Sequence, residues 1–264
     1  MIFVFRQNEN FADIHSHLIP YVDDGASDME DAKRLILEEY IQGVRLLVLT
    51  PHLRYGYFDT PLADVQRHFE ELKKWVSESN LKDLKICLSR EYHCDKRFEA
   101  LLEGYVGGSK TIFFEGREYE PQKEVIPFGA KRCILLEFST GLRDVNELKN
   151  FVTKAVDAGL TPIIAHAERY LIVQNNIHAL DEVKALGANV QVNVDALLGL
   201  ESKDICSTAK RLVAEKIADI VASDSHDPER RKPRLDRCFK YLKRKVGEEQ
   251  SHALMRDKAY ELIF

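Results

Sequence analysis

The sequence has 264 residues, and its 38 lysine and arginine residues against 43 aspartate and glutamate residues give a formal net charge of -5. This balance argues against a protein that binds nucleic acid mainly by neutralising phosphates. The length favours one large α/β domain over residues 1–264. The five cysteine residues are scattered and never spaced as C-x-x-C, which argues against a disulfide framework and a thiolate zinc site.

The sequence gives no sign of a membrane or export segment. No apolar run approaches the roughly 18 residues that span a bilayer. The run MIFVF at residues 1–5 is too short for the core of a signal peptide. We therefore expect a cytoplasmic protein with no membrane insertion.

Seven short aliphatic or β-branched runs predict strands. In chain order they are FADIHSH (11–17), VRLLVLTPH (44–52), LKICLSREY (84–92), CILLEFS (133–139), TPIIAHAE (161–168), NVQVNVDA (189–196) and ADIVASDSH (218–226). Stretches with helical apolar spacing alternate with them, which indicates a parallel sheet, either open or closed into a barrel. Segment 104–131 breaks this alternation, and we expect a hairpin or a mobile loop there.

The first two predicted helices carry start signals. Ser27 and Glu30 have the spacing of a capping box, and Gly43 marks the end of the first helix. Thr60 and Pro61 predict the N-cap and the first residue of the second helix.

Six of the seven strand runs end in residue types that bind metal ions. These residues are His15 and His17, His52, Glu91, Glu137, His166, and Asp224 and His226. The carboxyl ends of parallel strands lie at one face of the fold, and side chains at i and i+2 of a strand point the same way. Imidazole and carboxylate together suit Mn, Fe and Zn. The pattern therefore predicts a site for several metal ions, although buried carboxylates at strand ends also form structural ion pairs.

The other residues that could take part in chemistry are not predicted to bind metal ions. Asp13 shares the strand face of His15 and is expected to accept a hydrogen bond from an imidazole N–H. The remaining histidines are expected to be ordinary, namely His68, His93, His178 and His252. Cys238 and Arg244 fit the C-x5-R signature of thiol-based tyrosine phosphatases. The intervening FKYLK is helical in pattern and has no glycine, so it cannot form the amide-lined phosphate cradle of those enzymes.

Five blocks, in order, resemble the polymerase and histidinol phosphatase (PHP) family, and within it the capsule and exopolysaccharide branch of metal-dependent protein-tyrosine phosphatases. The blocks are DIHSHLIPYVDDG, QGVRLLVLTPH, LLEFS, IIAHAERY and VASDSH. The resemblance implies a distorted seven-stranded (β/α) barrel of the PHP type with a trinuclear centre, usually of Mn2+, with Fe or Zn as alternatives. The N-terminus extends beyond the usual start of this family.

The resemblance also implies a role for each matching residue. One ion would be held by His15, His17, Glu91 and Asp224, a second by Glu91, Glu137 and His166, and a third by Asp24, His52 and His226. Arg169 and Arg231 match basic residues that the family uses to bind phosphate. Arg90 stands before Glu91, where the family usually has a small residue, and Asp23 remains an alternative to Asp24.

The resemblance implies a phosphomonoester hydrolase that uses metal-bound hydroxide and acts on the phosphotyrosine tail of a bacterial capsule-type tyrosine kinase, with a homo-oligomer left open. A small-molecule phosphatase of the histidinol phosphatase kind is the nearest alternative. An amidohydrolase is disfavoured because glutamates stand where that family has a modified lysine. A non-catalytic metal-bound regulatory module is disfavoured because the ligand set is complete.

Overall fold

The computed structural model describes residues 9–81 and 83–264. The run MIFVF and most of the N-terminal extension lie outside these residues. Eleven strands occur in the described part of the chain: β1 (Phe11–Ser16), β2 (Val44–Leu49), β3 (His52–Leu53), β4 (Lys85–Leu88), β5 (Glu91–His93), β6 (Ile112–Phe114), β7 (Arg117–Tyr119), β8 (Cys133–Glu137), β9 (Thr161–Ile164), β10 (Asn189–Asn193) and β11 (Ile220–Ala222).

The strands form two parallel sheets and one antiparallel hairpin. The orders are β1-β2-β4 and β11-β10-β9-β8-β5-β3, and β6 pairs with β7. Two backbone hydrogen bonds join β1 to the segment after β11, from Asp224 N to His15 O at 2.9 Å and from His17 N to Ser225 O at 2.8 Å. The predicted α/β class with parallel strands is confirmed, while a closed barrel of seven strands stays a prediction.

Each of the seven predicted runs contains a strand, but two of them are divided. The run at 44–52 gives β2 and β3, and the run at 84–92 gives β4 and β5, so that each run contributes to both sheets. Pro51 lies at the first break, where it has no N–H to donate to a ladder. The division matters for the site because β3 begins with His52 and β5 begins with Glu91.

Twelve α-helices occur in the described residues: α1 (Met29–Ile41), α2 (Leu62–Glu78), α3 (Lys96–Val106), α4 (Pro121–Glu124), α5 (Val145–Asp157), α6 (Leu171–Asn175), α7 (Ala179–Ala185), α8 (Val194–Leu198), α9 (Lys203–Ala214), α10 (Leu235–Val246), α11 (Glu248–His252) and α12 (Lys258–Ile263). A 3-10 turn covers Ala167–Arg169 and a π-helical turn covers Ala253–Asp257. None of the helices in residues 9–81 and 83–264 has the length and apolarity needed to cross a bilayer.

The predicted capping box of α1 is wrong by one residue. Asp28 is the N-cap, and its carboxylate accepts hydrogen bonds from the N–H groups of Glu30 and Asp31. Ser27 instead donates from Oγ to the Asp31 side chain at 2.5 Å. An ionised aspartate interacts more favourably than a serine hydroxyl with the positive N-terminal end of a helix, which explains the shift. Gly43 follows the helix with a φ of +104°, as its predicted stop requires.

The start of α2 also differs from its prediction. The helix begins at Leu62, so Pro61 occupies the N-cap position rather than the first helical position. The Thr60 hydroxyl donates to the backbone carbonyl of Val22 at 2.6 Å. Thr60 thus connects the start of α2 to the loop after β1.

Segment 104–131 holds the hairpin β6–β7 and the short helix α4, which confirms the hairpin of the two predicted alternatives. Gly104, near the end of α3, lies against the later part of this segment. A Cβ at Gly104 would lie 2.7 Å from Pro121 Cγ and 2.8 Å from Ile112 Cγ2, so only glycine permits this approach. The segment therefore packs closely on α3.

Candidate metal centre

The nine residues predicted as metal ligands lie together. Most are at or just after the carboxyl ends of strands, but His52 and Glu91, which were predicted to end their strands, are the first residues of β3 and β5, and Asp24 lies in the loop after β1. Their candidate ligand atoms form four overlapping groups, each within 4.8 Å: His17, Asp24, His52 and His226; His15, Glu91 and His166; His15, His17 and Asp224; and His52, Glu91 and Glu137. The structure thus brings all nine together, with residues from both sheets. Their assignment as ligands stays a prediction.

Glu91 occupies the middle of this cluster and is fully buried. Its Oε2 lies 2.9 Å from His52 Nδ1, 3.2 Å from His17 Nε2 and 3.4 Å from His15 Nε2. Its Oε1 lies 2.8 Å from His166 Nε2. One carboxylate thus faces four imidazoles, and it would be shared if ions occupied the neighbouring groups. Arg90 does not disturb this arrangement, because its side chain is directed to Glu124 and to the Thr60 carbonyl.

Asp23 and Asp24 occupy different positions. Asp24 Oδ1 lies 3.6 Å from His52 Nε2 and 3.5 Å from His226 Nε2, among the candidate ligand atoms. Asp23 Oδ2 instead contacts His17 Nδ1 at 2.7 Å and accepts a hydrogen bond from His52 N at 2.9 Å. Asp23 therefore orients His17 through the ring nitrogen that does not face Glu91. Asp24 is the better-placed ligand.

The predicted role of Asp13 is wrong. Its carboxylate accepts hydrogen bonds from the N–H of Ser223 at 3.0 Å and from the Ser223 hydroxyl, and it contacts no imidazole nitrogen. The His15 ring turns toward β10, where its Nδ1 lies 3.1 Å from Gln191 Oε1. Although Asp13 and His15 share a strand face, Asp13 lies two residues deeper, at the level of Ser223.

The end of β10 supplies neutral amides that support the centre. Gln191 accepts from His166 N at 2.8 Å through Oε1 and donates from Nε2 to Asn193 Oδ1 at 2.7 Å. Asn193 donates from Nδ2 to Asp224 Oδ2 at 2.7 Å. This strand end, which lacks a strong ligand, therefore fixes the positions of candidate ligands on neighbouring strands.

Sequence reasoning missed two further neighbours of the cluster. His93 was predicted to be ordinary, yet its Nδ1 lies 3.0 Å from Glu137 Oε2. The signal was its place two residues after Glu91 on β5. Phe58 stacks on the His52 ring with a centroid distance of 4.8 Å and an interplanar angle of 9°. No sequence pattern indicated that contact, which depends on the loop between β3 and α2.

Both predicted phosphate-binding arginines lie beside the cluster. Arg169 donates from Nη1 to Asp224 Oδ2 at 2.9 Å and from Nη2 to Glu201 Oε1 at 2.6 Å. Arg231 donates from Nη2 to the same Asp224 oxygen at 2.8 Å, and 36% of its side chain is exposed. The two guanidinium groups therefore meet at one carboxylate that also belongs to the candidate ligands.

The electrostatics of the cluster favour ionised carboxylates, while its imidazoles differ. Burial opposes a charge on His15 and on His17, but Glu91 outweighs it at His15 and Asp23 outweighs it at His17, so both pKa values are raised. Burial opposes ionisation of Glu91, but the nearby His15 and His52 outweigh it and hold its pKa well below the usual value. Burial likewise opposes ionisation of Asp224, and Arg231 with His15 outweighs it, so that this pKa is also well below the usual value. Burial, followed by the charge of His17, lowers the pKa of His226 to about 4. Ionised carboxylates and neutral imidazole are the forms that bind cations.

The donor set fits divalent ions. Among the described residues, Glu91 Oε2, His52 Nδ1 and His226 Nε2 are buried and make no well-aligned hydrogen bond, although each lies within 3.5 Å of another candidate ligand atom. Unpartnered buried polar atoms are costly and rare in folded proteins. Their convergence with other imidazole and carboxylate atoms is explained if cations complete the site, since nitrogen and oxygen ligands of this kind suit Mn, Fe and Zn.

Two candidate ligands lie on backbone that is unusual for their residue types. His166 has a φ of +29° and Asp224 a φ of +52°, in the left-handed region that favours glycine. Each lies two residues after the end of a strand, His166 after β9 and Asp224 after β11, at a turn that directs its side chain into the cluster.

Cys238 cannot serve as a nucleophile. It is fully buried within α10, and burial raises the pKa of its thiol well above the usual value. The helix runs through the whole of the C-x5-R match, as the sequence predicted, so no loop is available to surround a phosphate group.

The family described as "Capsular polysaccharide synthesis, CpsB/CapC" matches residues 11–264. The "Tyrosine-protein phosphatase CpsB" of Streptococcus agalactiae serotype V is 29% identical over 258 residues, covering 95% of this chain and 97% of that protein. The "Tyrosine-protein phosphatase YwqE" of Bacillus subtilis is 24% identical over 242 residues, covering 92% and 87%.

Solved structures show the same fold. A crystal structure reported for YwqE from Bacillus subtilis and CpsB from Streptococcus pneumoniae, described as "unique metal-dependent tyrosine phosphatases", superposes with a TM-score of 0.78 at 24% identity and covers 96% of each chain. The phosphotriesterase homology protein of Escherichia coli, complexed with phosphate in its active site, gives a TM-score of 0.59 at 12% identity and covers 96% of this chain and 98% of that chain.

Proposed function

The chain belongs to the CpsB/CapC family of capsular polysaccharide synthesis, and from that premise we propose that it is a metal-dependent phosphotyrosine phosphatase. The observation that carries the proposal is the convergence of nine imidazole and carboxylate residues in one cluster with Glu91 at its middle and two arginines at its edge. The names of the relatives, tyrosine-protein phosphatases in Streptococcus and Bacillus, support the same reaction.

In the proposed centre, up to three divalent ions occupy the overlapping groups, with Mn2+ first and Fe or Zn as alternatives. The nine ligands are His15, His17, Asp24, His52, Glu91, Glu137, His166, Asp224 and His226. When bound, such ions supply a hydroxide nucleophile near neutral pH and offset the charge of a phosphoryl group. This chemistry needs no protein thiol, which agrees with the burial of Cys238.

The residues of the chain hold and orient the reacting groups. Arg231 uses Nη2 for Asp224, and its partly exposed guanidinium keeps further N–H groups for a phosphate oxygen. Arg169 is directed by Asp224 and Glu201 and is more buried than Arg231. Asp23 fixes the tautomer and orientation of His17, because its carboxylate contacts Nδ1 and leaves Nε2 facing Glu91.

The proposed substrate is the phosphotyrosine tail of a bacterial capsule-type tyrosine kinase, in the cytoplasm. The proposal includes one PHP-type phosphatase domain over residues 1–264, with the parallel strands arranged as a distorted seven-stranded barrel. The placement of candidate ligands at strand ends in both sheets supports this arrangement.

The test is kinetics on a phosphotyrosine peptide and on histidinol phosphate. The protein is stripped with a chelator and reconstituted separately with Mn, Fe or Zn. We expect higher kcat/KM on the peptide, and we expect His52→Ala to lose at least about 100-fold of that activity. His178→Ala is the matched control, because that side chain is 59% exposed and contacts Asp181 and Glu215 rather than a candidate ligand. Equal or better turnover of histidinol phosphate would overturn the tyrosine-phosphatase assignment.

A further inference from the structure

A cavity of about 790 Å³ lies beside the candidate metal centre. Asp224 and Asn193 form part of its lining, and so do Arg169 and Arg231, so the cavity is continuous with the proposed phosphate site. The loop after β11 and the loop after α8 also line it, through Arg230 and Leu200 respectively. A phosphoryl group alone would fill only a small part of this volume.

Arg230 is the cationic group of the cavity with no carboxylate partner. Its side chain is exposed and makes no hydrogen bond or ion pair within residues 9–81 and 83–264. The three other arginines that line the cavity are paired: Arg169 with Glu201 and Asp224, Arg231 with Asp224, and Arg234 with Asp195.

The backbone of Arg230 is nevertheless fixed. Its N–H donates to Asp227 Oδ1 at 2.6 Å, and its carbonyl accepts from Arg234 Nη2 at 2.8 Å. Asp227 also accepts from the N–H of Glu229 at 2.8 Å, so one carboxylate organises the whole turn. The loop therefore presents a free guanidinium from a prearranged position, which reduces the ordering cost of binding an anion.

Leu200 gives the lining of the cavity an apolar surface. Its side chain is 48% exposed although it lines the cavity. It follows Gly199, which has a φ of +80° and ends α8, and its N–H donates to Asp195 O at 2.9 Å. The cavity thus offers an exposed apolar side chain and an unpaired guanidinium, both carried on ordered backbone.

We infer that this cavity binds the polypeptide that flanks the phosphotyrosine, with an acidic side chain of the substrate paired to Arg230 and an apolar side chain against Leu200. The inference rests on the proposed function and names the substrate feature that the site selects. Charge complementarity supports this occupant, because four arginines and three acidic residues line the cavity and Asp224 is already shared with the candidate ligands.

The experiment compares two phosphotyrosine peptides that differ only in the residues beside the phosphotyrosine, which are glutamate in one and glutamine in the other. Phenyl phosphate, which has no flanking residues, is the third substrate. In the metal-reconstituted protein, we expect Arg230→Ala to lower kcat/KM on the glutamate peptide about fivefold and to leave the other two substrates unchanged. Added salt should reduce the preference for the glutamate peptide in the wild-type protein.

Lys232→Ala is the matched control, because this lysine lies in the same loop with the same charge but does not line the cavity. Arg230→Glu should reverse the preference toward a peptide with flanking lysine. An equal loss on all three substrates, or no loss on the glutamate peptide, would overturn the inference.

A binding measurement separates this inference from the proposed function. A peptide with a non-hydrolysable phosphonate in place of the phosphotyrosine is titrated into the wild-type and Arg230→Ala proteins. If the wild-type protein hydrolyses no phosphotyrosine but still prefers the acidic phosphonate peptide through Arg230, the cavity is assigned correctly and the phosphatase assignment is wrong. If the wild-type protein hydrolyses phosphotyrosine but shows no such preference, the phosphatase assignment is correct and the assignment of the cavity is wrong.

Discussion

Arg231 donates from Nη2 to Oδ2 of Asp224 at 2.8 Å, while the other oxygen of that carboxylate lies 3.4 Å from His15 Nε2. The carboxylate thus joins the arginine side of the site to the imidazole side. A residue proposed to bind phosphate therefore also holds a candidate metal ligand in place, and its two roles are linked through one side chain.

Arg231→Ala is accordingly expected to affect two quantities. The kcat/KM for a phosphotyrosine peptide should fall about 100-fold, as for loss of one donor to a transition-state oxyanion. Metal affinity, measured by titration of the chelator-stripped protein, should fall as well, because Asp224 loses one of its three side-chain donors. Arg230→Ala should leave metal affinity unchanged. Loss of activity with unaltered metal affinity would show that Asp224 does not need Arg231 for its position.

Asp23→Asn and Asp24→Asn should have different consequences. Asp23→Asn weakens the support of His17, so metal affinity should fall about 10-fold to 100-fold while excess metal restores activity. Asp24→Asn removes a proposed ligand, and excess metal should not restore activity. Titrating activity against metal concentration in the two variants distinguishes these cases. The opposite pattern would make Asp23 the ligand.

Cys238→Ser should keep nearly all activity, because the buried thiol lies within α10 and takes no part in the proposed reaction. The added cost is burial of a hydroxyl, which should lower the free energy of unfolding by about 1–3 kcal/mol. Chelation should abolish the activity of the variant and the wild-type protein alike. An inactive but folded Cys238→Ser protein, judged by its circular dichroism, would revive a thiol mechanism.

The stability of the protein should depend on pH through Glu39. This residue is fully buried, and burial together with the charge of Asp13 raises its pKa well above the usual value. A carboxyl whose folded-state pKa is raised stabilises the fold below its unfolded-state pKa, and this contribution is lost as pH rises through the folded-state value. Glu39→Gln has no carboxyl to ionise at this position, so the stability of this variant should not fall with pH for that reason.

The free energy of unfolding of Glu39→Gln, relative to the wild-type protein, should therefore increase with pH above the ordinary glutamate range. Urea unfolding at several pH values in the presence of a chelator measures it. Glu70→Gln, whose side chain is 65% exposed, is the control that should show no such trend. A constant difference between the Glu39 variant and the wild-type protein across pH would contradict the argument.

The sequence predicted the strands and most of the candidate site because both depend on local patterns. Buried parallel strands produce continuous apolar runs, and residues such as His15 and His17 follow directly from the two-residue period of a strand. Glu137 and His166 were found in the same way, from their places at or just after the ends of such runs.

What the sequence could not predict depends on contacts across the fold. Asp13 and His15 share a strand face, but only the neighbouring strands decide that Asp13 contacts Ser223 and that the His15 ring turns to Gln191. Phe58 lies six positions from His52 and reaches it because the intervening loop folds back, with paired hydrogen bonds between Arg54 and Phe58. Such long-range or loop-dependent partners leave no periodic signal.

The left-handed backbone of His166 and Asp224 lowers the stability of the fold at the two turns that position these candidate ligands. Non-glycine residues in such conformations cost on the order of 1–3 kcal/mol each. Glycine at either position would relieve that cost and at the same time delete an imidazole or a carboxylate from the cluster. A library selected for turnover should therefore reject glycine at both turns, although glycine would relieve the backbone strain there.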